Sequence, residues 1–186
     1  MKLKVYERND LKKSFLTKLR IENKIACIVY AQGIENKNIY IEKDKFLECI
    51  RYLNKGSLSI TVFELDGLKE KNSKVIIKEI QYDKTSYEII HIDFMLLQDN
   101  IEVNVKIPIE CVNAAECVGI KMGGILRQLM RKVQIRCLPK NIPTKFIVDV
   151  SQMKMLEKKK VQDLKIPDNV FLITNLNEAA IVIAKR

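Results

Sequence analysis

The sequence contains a single histidine, His91, with an acid two residues later, Asp93. Both lie in EIIHIDFMLL, residues 88–97, where apolar side chains return at every second position as Ile90, Ile92, Phe94 and Leu96. That period marks a strand with one buried face. His91 and Asp93 share the other face with Ile89, Met95 and Leu97, about 6.5–7 Å apart along the strand. An imidazole beside a carboxylate supports three kinds of chemistry. It can act as a general base with its orienting group, stabilise a half-buried corner, or recognise a polar ligand.

Catalysis needs more than this pair, and the sequence supplies no more. It has no GxxxxGK[ST] or GxGxxG phosphate loop, no GxSxG nucleophile elbow and no HExxH zinc helix. Five cysteines (Cys27, Cys49, Cys111, Cys117 and Cys137) form an odd set without a CxxC pair, each inside an apolar run. They read as buried, reduced thiols, with no metal site and no cofactor. Nothing in the sequence selects one of them as a nucleophile for His91. The expectation is a binding protein and not an enzyme.

Charge narrows the partner. The 33 basic and 23 acidic side chains leave a formal net charge of +10, an excess that favours a polyanion. Residues 1–24 hold 8 basic against 3 acidic side chains, and residues 101–186 hold 15 against 8. The opening MKLKVYER lacks an apolar signal region, and no run approaches the ~18 apolar residues of a membrane span. The expected setting is cytoplasmic, with no membrane.

The elements that must position His91 and Asp93 are legible as alternations and helical stripes. Leu11, Phe15, Leu16 and Leu19 predict a helix over residues 11–22 with Lys12, Lys13, Lys18 and Arg20 mostly on its other side. Ser14 is a candidate cap of a shorter version, and Asn23 is placed for the left-handed residue that ends it. Strands come next at 25–31 and 39–41, then a helix over 42–53 carrying Phe46, Leu47, Ile50 and Leu53 inward and stopped by Gly56. Further strands are predicted at 58–65, 75–82, 87–97 and 101–108. Beyond residue 100 the pattern shifts to short strands at 133–138, 145–150, 170–173 and 179–184, separated by prolines. One helix over 125–130 opens after Gly123 and Gly124. Strands and helices do not alternate, which argues against a doubly wound parallel sheet. The expected architecture is mainly β, in two domains, 1–98 and 99–186.

Taken together, several stretches resemble a known family. They are Arg8, Lys13-Ser14, Leu19-Arg20, Asn23-Lys24-Ile25, Val29-Tyr30, the Val75–Lys78 run and the His91–Phe94 run. The second half adds Gly123-Gly124, Cys137-Leu138-Pro139, Ile142-Pro143, the Val148–Ser151 run and Asp163-Leu164. In this order the chain resembles the bacterial large-subunit ribosomal proteins of the general-stress-protein Ctc type. The resemblance implies an N-terminal six-stranded β-barrel with short helices that grips loop E of 5S ribosomal RNA. It also implies a β-rich C-terminal domain with one or two helices. The implied role is structural, in the central protuberance of the large ribosomal subunit, with residues 99–186 available to neighbouring ribosomal proteins.

The RNA-binding residues it implies are Arg8, Arg20, Tyr30, His91 and Asp93, with Lys12, Lys13, Ser14 and Lys18 beside them. An alternative role is a stress-linked protein-interaction module held on the ribosome through its C-terminal domain. The chain departs from the family at Lys12, Asn23 and Ala31, where glycines are usual, and at Ala26, where proline is usual. The run Glu157–Val161 replaces a glycine-containing turn, and Lys158, Lys159 and Lys160 read as a solvated loop. Leu126, Leu129 and Met130 read as core.

Overall fold

Alternation of apolar and polar residues closes six strands of the first half into a barrel. They are β1 (Lys2–Glu7), β2 (Lys24–Ala31), β3 (Ile34–Glu42), β4 (Phe63–Asp66), β5 (Ser73–Tyr82) and β6 (Ile89–Leu96). The neighbour order around the barrel is β1-β3-β2-β6-β5-β4. The structure, a computed structural model, describes residues 1–8, 10, 12–54, 56–67, 73–167 and 169–185. Two compact units divide the chain, Met1–Ile101 and Glu102–Arg186.

Inside the barrel, Leu3 and Val5 of β1, Ile25, Cys27 and Val29 of β2, and Ile92 and Phe94 of β6 form one buried cluster. Their neighbours in sequence point outward, as the two-residue period of a strand requires. Helix α1 (Lys13–Ile21) rests against β2 and buries Leu19. Helix α2 (Lys43–Arg51) lays its apolar side on the barrel core. Its Phe46 is fully buried and stands 6.4 Å from Phe63, which in turn meets Phe94 at 6.5 Å edge to face. Such ring pairs add about 0.5–1.5 kcal/mol beyond the area they bury. Two of the six pairings are parallel, β1 with β4 and β2 with β6.

The second unit is also strand-rich. A four-stranded sheet runs in the order β10 (Phe146–Asp149), β7 (Val103–Val112), β9 (Lys132–Cys137), β12 (Phe171–Leu172). A three-stranded sheet runs β11 (Lys158–Lys160), β13 (Ala179–Ala184), β8 (Ile125–Gln128). Val103, Val105 and Ile107 alternate inward against Val133, Ile135 and Cys137. The one α-helix among the described residues of this unit, α3 (Val118–Lys121), is four residues long.

Several expectations need correction. Residues 125–128 form strand β8 paired with β13, not a helix. Gly123, at φ +94°, ends α3 with its N–H on the Ile120 carbonyl, so the glycine pair is a helix stop and not a start. Leu129 is 58% exposed, not core. Lys158–Lys160 form a strand, because Lys158 and Lys159 pair with Val182 and Ile181. Of residues 58–65 only the end is extended. The stretch before it turns, with the Ile60 and Thr61 N–H groups both on the Ser57 carbonyl. Residues 2–7, not predicted as a strand, are β1, and residues 39–41 belong to a longer β3.

At the start of α1, Lys12 is the N-cap and Ser14 lies inside the helix. Leu11, placed on that helix by the sequence, falls outside the described residues. Asn23 does adopt the left-handed conformation, at φ +57°. All five thiols are free. Cys27, Cys117 and Cys137 are buried, whereas Cys49 and Cys111 are only half-buried. Among the described residues no helix is long and apolar enough to cross a membrane.

The barrel seam makes a direct demand on one residue. Gly67 sits at φ +114°, and a Cβ there would lie 2.3 Å from the Val5 carbonyl oxygen of β1. Both the strained dihedral and the backbone clash oppose any other residue. Gly67→Ala is expected to lower unfolding free energy by about 2–3 kcal/mol. Urea denaturation of the purified variant reads this directly, and an unchanged midpoint would contradict so close an approach of β1 to the chain after β4.

Candidate nucleic-acid interface

Strand pairing decides which outward side chains become neighbours. On β2 the outward positions are Lys24, Ala26, Ile28 and Tyr30, and on β6 they are His91, Asp93 and Met95. Parallel pairing sets Ala26 beside His91, Ile28 beside Asp93 and Tyr30 beside Met95. On the other side of β2, Tyr40 pairs with Ala26 and Asn38 with Ile28. Tyr6 of β1 pairs with Tyr40. Beyond β6, Gln81 pairs with His91 and Glu79 with Asp93. Two rows therefore cross five strands of the barrel: Tyr6, Tyr40, Ala26, His91, Gln81 and, beside it, Asn38, Ile28, Asp93, Glu79.

Arg8 extends the second row. Its backbone N–H donates to the Asn38 carbonyl at 2.9 Å, and its Nη2 donates to Asn38 Oδ1 at 3.2 Å. An amide thus positions the guanidinium, and no acid among the described residues pairs with it. Its Nε is buried without a hydrogen-bond partner, a condition that costs on the order of 1–3 kcal/mol. Burial drives the thiol of Cys27, beneath this row, far above its ordinary range. The Arg8 charge pulls it down and the Asp93 charge pushes it up, so both act on one buried point.

His91 Nδ1 lies 2.8 Å from Asp93 Oδ1, with the two side chains 25% and 27% exposed. This contact fixes what each group can offer. With the Nδ1 proton on Asp93, a neutral ring presents only an acceptor at Nε2, suited to a 2′-hydroxyl or a base amino group. Donation to a phosphate requires the doubly protonated ring. Tyr30 stands half-buried on the same face. Burial, then the charges of Asp93 and Glu79, push its phenol upward, so it remains a neutral donor.

Arg20 belongs to α1 and not to a strand. It is exposed in the last turn of α1, and its charge helps to hold Asp83 below the usual carboxylate range. The larger causes there are the N–H groups of Ser86 and Thr85, which donate to Asp83 Oδ1 at 3.0 and 2.7 Å. The charge of Arg20 therefore reaches the turn between β5 and β6. Lys12, Lys13, Ser14 and Lys18 are all exposed at or on α1. Lys18 reaches Glu22 only at 4.0 Å, and a surface pair of that length contributes little.

Asn38, Tyr6 and Tyr40 are absent from the sequence-based candidates. The tyrosine rings stack at 5.1 Å with 15° between planes, with Lys4 over one and Lys24 over the other at 5.5 and 5.3 Å. Each is an outward residue of an alternating strand, and that much is visible in the sequence. Their adjacency is not.

A barrel with a polar, partly cationic outer face, joined to a second strand-rich unit, has close relatives. Residues 3–94 match the Ribosomal L25p family, and residues 102–186 match the C-terminal domain of ribosomal protein TL5. The large ribosomal subunit protein bL25 of Chlamydia pneumoniae is 39% identical over 186 residues, the whole length of both chains. Those of Chlamydia abortus and Chlamydia trachomatis serovar D are 38% and 36% identical over the same span. The chain belongs to the bL25 family. It is the two-domain form, a non-enzymatic structural protein, as its resemblance to the Ctc-type proteins implies.

The link between Arg20 and the β5–β6 turn is open to measurement. Asp83 has a lowered folded-state value, so its contribution to stability is present above the unfolded-state value and is lost as pH falls through the folded one. Arg20→Ala is expected to move the Asp83 titration upward, toward an ordinary aspartate, in a carboxyl-detected NMR titration. A titration that does not move would separate the two residues.

Proposed function

We propose that the chain is a component of the large ribosomal subunit and that its barrel binds the loop E region of 5S ribosomal RNA. On this reading the interface comprises Arg8, Tyr30, His91 and Asp93 on the strand face, with Arg20, Lys12, Lys13, Ser14 and Lys18 of the α1 segment alongside. The observation that carries the reading is the row from Arg8 through Asn38 and Ile28 to Asp93. It joins a cation held by an amide to a histidine–carboxylate pair on one partly exposed face.

Regular A-form RNA hides its major groove, so proteins read irregular loops, the shallow minor groove and 2′-hydroxyls. The face suits that target. The planar fork of Arg8 fits a phosphate or a guanine edge. His91 Nε2 accepts from, and the Tyr30 hydroxyl donates to, sugar hydroxyls. Asp93 disfavours a phosphate directly above it and accepts from base amino groups. The lysines of α1 supply the sequence-independent part of the affinity through counterion release.

Gel-shift titration of the full chain with intact 5S RNA and with a loop-E-disrupted version, across a salt series, tests the proposal. Arg8→Ala and His91→Ala are each expected to weaken binding to intact RNA by about 1–3 kcal/mol and to reduce the preference for it. Lys12→Ala and Lys18→Ala should weaken binding to both RNAs alike and lower the salt slope by about 1. Equal affinity of the parent chain for the two RNAs, or undiminished binding by the first two variants, would remove the strand face from the interface.

A further inference from the structure

The second unit carries a surface that the barrel reading leaves unused. In its four-stranded sheet, the stretch where β7, β9 and β12 run side by side covers residues 103–108, 132–137 and 171–172. One face of this stretch is buried. The other presents Arg136 flanked in register by Asn104 on β7 and Phe171 on β12, with Lys132 four residues back along the same strand. The stretch contains no acidic residue. Glu110, further along β7, is paired with Lys145 at 2.7 Å.

Two features make this more than a solvated sheet face. Arg136 is exposed, yet its Nε donates to Asn104 Oδ1 at 3.1 Å, which orients the guanidinium instead of leaving it to sweep through solvent. Beside it Phe171 is 63% exposed, and Ile173 beyond it is 43% exposed. Phe171 stands on the edge strand of the sheet, and a large aromatic left in water at the end of a polar row is a group awaiting a flat partner. An oriented guanidinium and a lysine four residues away on the same strand, about 13–14 Å apart, together with an open aromatic ring, match what unpaired RNA offers: phosphates in series and bases whose faces are free. An acidic peptide would meet the cations equally well but would leave Phe171 without a matching planar group.

We propose that this face, through Arg136, Lys132 and Phe171, is a second RNA-binding site, specific for unpaired nucleotides. Phosphates lie over Arg136 and Lys132, and one base stacks on Phe171. The site is independent of the barrel, and it makes the two-domain chain a bivalent RNA binder in which each unit reads a different kind of RNA structure. Linking two such sites raises overall avidity by 10²–10⁴ without any new contact when both can be engaged together, and by nothing when they cannot.

The test uses the full chain, in the parent form and in an Arg8→Ala/His91→Ala background that weakens the strand face. The probe is a labelled 12-nucleotide oligouridine. The sequence has no tryptophan, so Phe171→Trp creates a single indole reporter at the site. Its fluorescence is expected to be quenched on addition of the oligonucleotide in both backgrounds. Phe171→Ala should weaken binding by roughly fivefold or more with no change in salt slope, because stacking releases no counterions. Arg136→Ala and Lys132→Ala should each lower the slope by about 0.7, while Arg136→Lys should keep it. An indole blind to the oligonucleotide would overturn the proposal, as would unchanged slopes or displacement by polyglutamate as efficient as by unlabelled RNA. Because these side chains are exposed, unaltered thermal midpoints are the expected control. The tryptophan variant retains an aromatic ring and keeps the test decisive should the alanine variant fail to fold.

Discussion

The parallel pairing of β2 with β6 is the constraint on which the first unit depends. It brings residues 26–30 alongside residues 91–95, which lie more than sixty positions further along the chain. Parallel neighbours need a long crossover, and here the crossover is the rest of the barrel. Because side chains alternate with period two, this register does two jobs at once. It sends Ile92 and Phe94 into the core beside Cys27 and Val29, and it sends His91 and Asp93 to the outer face beside Ala26 and Ile28. A slip by one residue would bury the histidine and the carboxylate and expose a phenylalanine, a change far beyond what a marginally stable domain tolerates. The hydrophobic core is thus what aims the polar face.

That link explains what was readable in the amino-acid sequence. β6 declares itself because four apolar residues alternate with a histidine and an acid, and the facing of His91 can be read from the pattern alone. β1 does not, since Leu3 and Val5 are its only buried residues and stand among lysines. Its partners β3 and β4 lie more than thirty positions away. The chemical types on the candidate face, arginine, tyrosine, histidine and aspartate, are also legible. Their spatial grouping is not. Asn38, which positions Arg8, is set by the β1–β3 and β2–β3 registers, and the second of these contains an irregularity between Val29 and Ala31. Arg20 faces the Asp83 turn because of how α1 docks on β2, a tertiary fact with no local signature. Gly123 and Gly124 mislead for a related reason. A glycine pair punctuates a helix at either end, and only the pairing of β8 with β13 makes residues 125–128 a strand.

Charge is distributed unevenly between the units. The barrel combines a basic α1 segment with acids on the strand face itself, at Glu79 and Asp93. The second unit holds nearly twice as many basic as acidic side chains. A basic surface gains affinity for any polyanion, with strong salt dependence and little discrimination. A mixed surface gives up part of that affinity to decide where a phosphate is allowed.

Asp93 is where this trade becomes a mechanism. Close to a phosphate, its charge is repulsive. Its one described hydrogen-bond partner is His91, whose Nδ1 holds the carboxylate in place. The pair can be satisfied in two ways. A sugar hydroxyl or base amino group can lie over it with the ring neutral, or a phosphate can approach with the ring charged. The first needs no proton uptake, and it is available only where an RNA opens its groove edges. Ordinary duplex, with its phosphate ridges outermost, offers chiefly the second. Under the proposed reading, the carboxylate therefore acts as a filter: it weakens contact with regular RNA more than contact with an irregular loop. Arg8, kept from it by Asn38 and Ile28, can still supply the attraction that any RNA complex requires.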